Sequence, residues 1–121
     1  MKRSWKQWLA IACVATAAMP ALAQSKNDGL VVTGNDWMNS SVAERKAFLV
    51  GVTNMIMAEG AYAKKNNQAT PPVSAQIINA TQTAKIGDIE AQITRWYESN
   101  PGKATTPVMV VVWQDIVKGK R

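Results

Sequence analysis

The single cysteine of this 121-residue chain, Cys13, sits in an apolar run near the N-terminus, so everything downstream must fold without a disulfide. Lys2, Arg3 and Lys6 precede the run, residues 9–19 form its apolar stretch, and Pro20 breaks it. Ala21-Leu22-Ala23 then fits the small-x-small rule for signal cleavage. The pattern predicts a secretory signal over residues 1–23, cleavage after Ala23, and a mature protein that begins at Gln24 in the periplasm or outside the cell. The apolar run is about half the roughly 20 residues that span a bilayer. No later stretch is apolar enough to anchor the chain, so the mature form is expected not to span a membrane.

The remainder, residues 24–121, is about the size of one small domain. A chain of that length buries roughly 60 to 65% of its unfolded surface, and apolar packing has to supply the stability that a disulfide would otherwise add. The sequence contains no histidine. Without imidazole, and without a thiol after Cys13, the Ser-His-Asp and Cys-His forms of catalysis and the usual zinc sites are excluded. No cofactor is expected. Lys and Arg number 14 against 8 Asp and Glu, for a net +6. Removing Lys2, Arg3 and Lys6 leaves +3, and the two small basic clusters, Lys64-Lys65 and Lys118-Gly119-Lys120-Arg121, fall at helix ends. Nucleic-acid binding would call for a basic stripe with interleaved aromatics, so no nucleic-acid partner is expected.

Four helices are predicted. Residues 30–33 are a short apolar run, read as an edge strand or a packed arm. Thr33-Gly34-Asn35-Asp36 has turn chemistry and delivers Trp37 and Met38 to the helical region. Ser41-Val42-Ala43-Glu44 is a capping box that starts a helix over 41–65. Phe48, Leu49, Val52, Met55, Ile56, Glu59 and Tyr62 follow Arg45 at spacings of three and four, which predicts one buried face. Lys64 and Lys65 suit the negative end of the helix, and Asn66-Asn67 suits a left-handed cap. Thr70-Pro71-Pro72 signals a second helix to about residue 83. Ile86, Ile89, Ile93, Trp96 and Tyr97 form a helical stripe that ends at Ser99-Asn100-Pro101-Gly102. Thr106-Pro107 signals the last helix, with Thr106 as cap and Pro107 as its first residue. The β-branched residues 108–113 would favour a strand on propensity alone. The fold class is therefore all-α, a small single-domain bundle of about four helices. The alternative is α+β, with residues 30–33 and 108–112 paired as strands.

Among the carboxylates, Glu44 is assigned to its cap and Asp88 to a helix start, and Glu90 and Glu98 are expected in solvent. Glu59 stands apart because it falls among Met55, Ile56 and Tyr62. Three roles are open for it: snorkelling to solvent at the end of the helix, pairing with a basic residue from another helix, or holding a ligand between helices. Carboxylate-based hydrolysis would need a second acid facing Glu59 across a cleft, and that is the least favoured reading. Trp37 is either a partner contact at a polar turn or a plug at the end of the bundle. Trp96, Tyr97 and Trp113 are read as core, or as the lining of a groove. Gly51 and Gly60 each cost about 1 kcal/mol in a helix relative to Ala, which predicts a neighbouring helix or a Trp in close approach.

Gly34-Asn35-Asp36-Trp37-Met38, then the run from Glu44 through Phe48 and Gly51 to Val52, then Trp96-Tyr97-Glu98-Ser99-Asn100-Pro101, resemble the layout of small exported bacterial helical domains of the Rap1a/Tai immunity-protein type. The likeness covers residues 34–117 and rests on short motifs. It implies a periplasmic protein with no catalytic residues that binds another protein, as immunity proteins bind a delivered toxin. Taken together, the sequence predicts a non-enzymatic, periplasmic or envelope-associated protein-binding factor. Trp37, Met38, Met55, Met57, Glu59, Tyr62 and Tyr97 are its candidate contact residues. A small-molecule or lipid-binding envelope module is the alternative.

Overall fold

The structure, a computed structural model, describes residues 29–119. The expected leader over residues 1–23 lies outside the described residues. The described chain is an all-α bundle: α1 (Gly34–Asn39), α2 (Val42–Lys65), α3 (Pro72–Thr81), α4 (Ile86–Ser99) and α5 (Val108–Val111). A 3₁₀ turn (Pro101–Lys103) follows α4, and α5 runs on as a π-helix over Val112–Val117. No helix among the described residues is long and apolar enough to cross a membrane.

The local chemistry explains most of these boundaries. At the start of α2, the Glu44 amide donates to Ser41 Oγ at 3.2 Å, and the Ser41 amide donates to Glu44 Oε2 at 2.7 Å. Both orphan donors of the first turn are thereby satisfied. At its other end, Asn67 takes a left-handed φ of 53°, a conformation that asparagine tolerates better than most residues. The starts of α3 and α5 differ slightly from expectation. Pro71 and Pro107 themselves occupy the cap positions, and Pro72 and Val108 are the first helical residues. No side chain caps either start, so Thr70 and Thr106 do not play the expected role.

The turn expected over residues 33–36 is instead the first part of α1. Asp36 Oδ2 accepts from the Thr33 amide at 2.8 Å and from the Thr33 hydroxyl at 2.7 Å, the same reciprocal cap that opens α2. The α+β alternative shrinks to one isolated antiparallel bridge between Thr33 and Pro107. Around it, the Val108 amide donates to the Val32 carbonyl at 2.9 Å and the Gly34 amide to the Thr106 carbonyl at 3.1 Å. Beyond the bridge, winding residues 108–117 into a helix turns Val108, Val111, Val112 and Ile116 into one core. An extended strand would send successive valines to opposite faces, so burial overrides β propensity here.

Helix α4 is central, packed against α1, α2 and the α5 segment. Trp37 of α1, Leu49 of α2, and Ile93 and Tyr97 of α4 join the valines of α5 in the core. Gly34 is required at the α1–α4 contact. A Cβ at that position would run into the Tyr97 ring and come within 2.8 Å of the Ala104 carbonyl oxygen.

Candidate functional site

The seven sequence candidates separate into three groups. Trp37 and Tyr97 are core residues, exposed by only 1% and 4%, so neither is a partner contact. The plug reading of Trp37 and the core reading of Tyr97 hold. Burial pushes the Tyr97 phenol up to about 12, and its hydroxyl donates to the Thr106 carbonyl at 2.8 Å. Trp96 packs edge-on against Tyr97. Trp96 and Trp113 are half-buried, and Lys103 and Lys118 lie over their rings at 5.7 and 5.9 Å from the centroids.

Glu59 forms the second group by itself. It is half-buried between α2 and α3, where its Oε2 accepts a hydrogen bond from the Ser74 hydroxyl. Ser74, a buried side chain of α3, fills the place that a second acid would occupy in a hydrolase. The crevice nearby, lined by Leu49, Ile56 and Ile77, has a volume of about 30 Å³, enough for a water molecule but not for a ligand. No group of three or more Asp or Glu side chains converges among the described residues.

The third group is exposed. Met38 lies on α1, while Met55, Met57 and Tyr62 project from α2 with 70%, 63% and 66% of their surface open to water. Met55 and Tyr62 were expected on the buried face. That face is instead formed by Leu49 and Ala63, supported by Arg45, Phe48, Val52, Ile56 and Glu59. Apolar residues run around the whole circumference of α2, and from Ala47 to Ala63 the only charged side chain, Glu59, is turned inward. A helix that is apolar all round is ordinarily covered on all sides. This one is covered on one. The explanation expected for Gly51 and Gly60 fails as well, because no atom of the bundle lies within 4 Å of a Cβ built at either position.

The structure also shows a polar cluster that the sequence reading had placed in solvent. Glu90 is only 7% exposed and pairs with Arg45 at 3.1 Å. Thr94 Oγ1 donates to Glu90 Oε1 at 2.9 Å and accepts from the Trp37 indole at 3.0 Å. Arg45 Nε donates to the Trp37 carbonyl at 2.7 Å, and Arg45 Nη2 to the Met38 carbonyl at 3.2 Å. The cluster therefore ties α1, α2 and α4 together. Every buried side-chain nitrogen or oxygen among the described residues has a hydrogen-bond partner, the condition under which a buried ion pair is tolerable. The signal was present in the sequence: Ile86, Glu90, Ile93 and Tyr97 share one row at spacings of four, three and four, and Arg45 lies on the inward face of α2.

A second apolar feature opens where the described chain begins. Leu30, Val32, Phe48, Val52, Pro107 and Met109 are among the residues lining a groove of about 320 Å³. No family model, no curated protein and no solved structure matches the chain.

Proposed function

We propose that this chain is a non-enzymatic, exported protein-binding factor that acts in the periplasm or envelope, and that the outer face of α2 is its contact surface. The observation that carries this reading is the solvent-exposed apolar surface of α2, with Met55, Met57 and Tyr62 at its edges. Methionine adapts its shape to a partner at little cost, and tyrosine contributes a large rigid ring. Met38 is an accessory contact; Trp37, Glu59 and Tyr97 act from within as supports. The likeness of residues 34–117 to the Rap1a/Tai type leads to the more specific reading of an immunity-like protein that neutralises a toxin by binding it.

The test is a pull-down from periplasmic extract with the exported protein and with Met55→Asp and Met57→Asp. A partner retained by the parent and lost by both variants supports the reading; a partner retained equally by all three rules out α2 as the surface. N-terminal sequencing of the exported protein checks the leader, with Gln24 as the expected first residue.

The apolar groove at Leu30 and Phe48 favours one second reading, a carrier of a small apolar ligand. An environment-sensitive apolar dye whose fluorescence rises with the parent but not with Phe48→Asp would support that reading.

A further inference from the structure

From the placement of sulfur in this chain, we infer that Met55 and Met57 are oxidation sites, and that their conversion to sulfoxides by a peroxide closes the outer face of α2 to a protein partner while the bundle stays folded. The inference rests on the reading of α2 as the contact surface and adds the regulation of that surface.

Cys13 and Met19 fall in the expected leader, so beyond it the chain carries no thiol, and its sulfur is that of Met38, Met55, Met57 and Met109. The compartment expected for it is oxidising. A peroxide that meets the mature chain finds thioethers and no thiolate. Susceptibility then follows exposure. Met55 and Met57 are the most open of these methionines, and Met38 is less so. Met109 is half-buried and packed against the core.

The step is a two-electron transfer. The thioether sulfur bonds to one peroxide oxygen as the O–O bond breaks, and the other oxygen leaves as water with both protons. A sulfoxide reductase reverses it with two electrons and two protons from a dithiol, releasing the added oxygen as water.

Position determines what each sulfoxide does. Two residues turn a helix by about 200°, so Met55 and Met57 stand on opposite edges of the outward arc. Ala47, Val50, Asn54 and Ala58 lie between them, all exposed. A partner that covers this arc covers both sulfurs. A thioether can be covered by apolar atoms without loss. A sulfoxide oxygen is a strong acceptor, bonded to water in the free chain and stripped of that water under an apolar surface. Neither residue belongs to the core, so in the free chain the new oxygen stays in solvent and the inward side of α2 is untouched. Met109 is the contrast. An oxygen there would enter the groove that it lines with Phe48 and Pro107, against the core.

The test treats the exported protein with graded hydrogen peroxide, removes the peroxide, and maps the added oxygen by peptide mass spectrometry. Met55 and Met57 should be oxidised at least about tenfold faster than Met109, with Met38 between them. The circular dichroism spectrum at that dose should be unchanged. Binding of the partner from untreated periplasmic extract should weaken about tenfold or more per sulfoxide, and the two stereospecific sulfoxide reductases with dithiothreitol should restore it. In the double variant Met55→Leu, Met57→Leu, treated and untreated protein should bind alike, because leucine takes up no oxygen. Oxidation of Met109 as fast as Met55 overturns the inference, as does a bundle that unfolds once Met55 and Met57 are oxidised, or peroxide sensitivity that persists in the leucine variant. A partner held equally by treated and untreated parent but lost by Met55→Asp overturns the switch and leaves the contact reading standing. A parent that holds no partner overturns both.

Discussion

The α1–α4 corner and the outer face of α2 use the same residue types to opposite ends. At the corner, Gly34 is small because the Tyr97 ring and the Ala104 carbonyl leave no room for a Cβ. Trp37 is sealed, and the guanidinium of Arg45 is held by one carboxylate, one hydroxyl and two backbone carbonyls. On the outer face, no side chain among the described residues approaches Gly51, and large apolar side chains are exposed. A glycine or an aromatic residue is therefore not diagnostic by type. What separates structure from contact surface is whether the neighbours that explain the residue belong to the same chain.

Substitutions can break or sharpen this contrast. The largest expected effect is at the corner: Arg45→Ala leaves Glu90 buried without a counter-charge, a loss of about 3–5 kcal/mol, a large share of a small domain's stability. Urea denaturation measures it, and a loss below about 1 kcal/mol would mean that water reaches the cluster. Gly34→Ala comes next, at about 1–3 kcal/mol, because the Tyr97 ring has to shift. Gly51→Ala should have the opposite sign, a gain of about 0.5–1 kcal/mol, read as a rise of several degrees in Tm. If both glycine variants destabilise alike, the contrast fails.

The smallest effects depend on pH. Because burial raises the Tyr97 phenol from 10.0 to about 12, the folded state holds a proton that the unfolded chain releases between those values. Its contribution is fully present below pH 10 and is lost as pH rises through about 12. Tyr97→Phe should flatten that alkaline limb in denaturation measured across the window. At the acid end, hydrogen bonds from Thr33 and Ser41 hold Asp36 and Glu44 below their ordinary values of 3.8 and 4.5. The folded state thus gains stability above those ordinary values and loses it as pH falls below them. The loss should be slight, because both carboxylates are in water, and Ser41→Ala should remove only the hydroxyl's part of the Glu44 share, since the backbone amide of residue 41 still donates.

The parts of this molecule legible in its sequence are those determined locally. The Ser41–Glu44 box set the start of α2, Asn67 set its end, and the isoleucine row set α4. α1 carried the same kind of signal, since Thr33 and Asp36 repeat the box spacing, but three turn-forming residues obscured it. Glu90 was misplaced because acidic character was weighed above its position in the row of Ile86, Ile93 and Tyr97. The π-helix had no local signal: its wide turn follows from burying Val111 and Val112 together with Ile116 and Val117, which only the assembled core specifies. Of the contact candidates, spacing placed Met55 and Tyr62 inward, whereas an all-round apolar helix offers no periodic cue to which side will be covered.

The lone bridge between Thr33 and Pro107 has a consequence for the life of the chain outside its native state. It fixes the first rung of a ladder whose next six residues, 108–113, are uncharged, free of proline and mostly β-branched. Only their winding against Ile93 and Tyr97 keeps those residues from recruiting strands of other molecules. Once heat or acid loosens the bundle, this hexapeptide is the place from which fibrillar aggregates should grow.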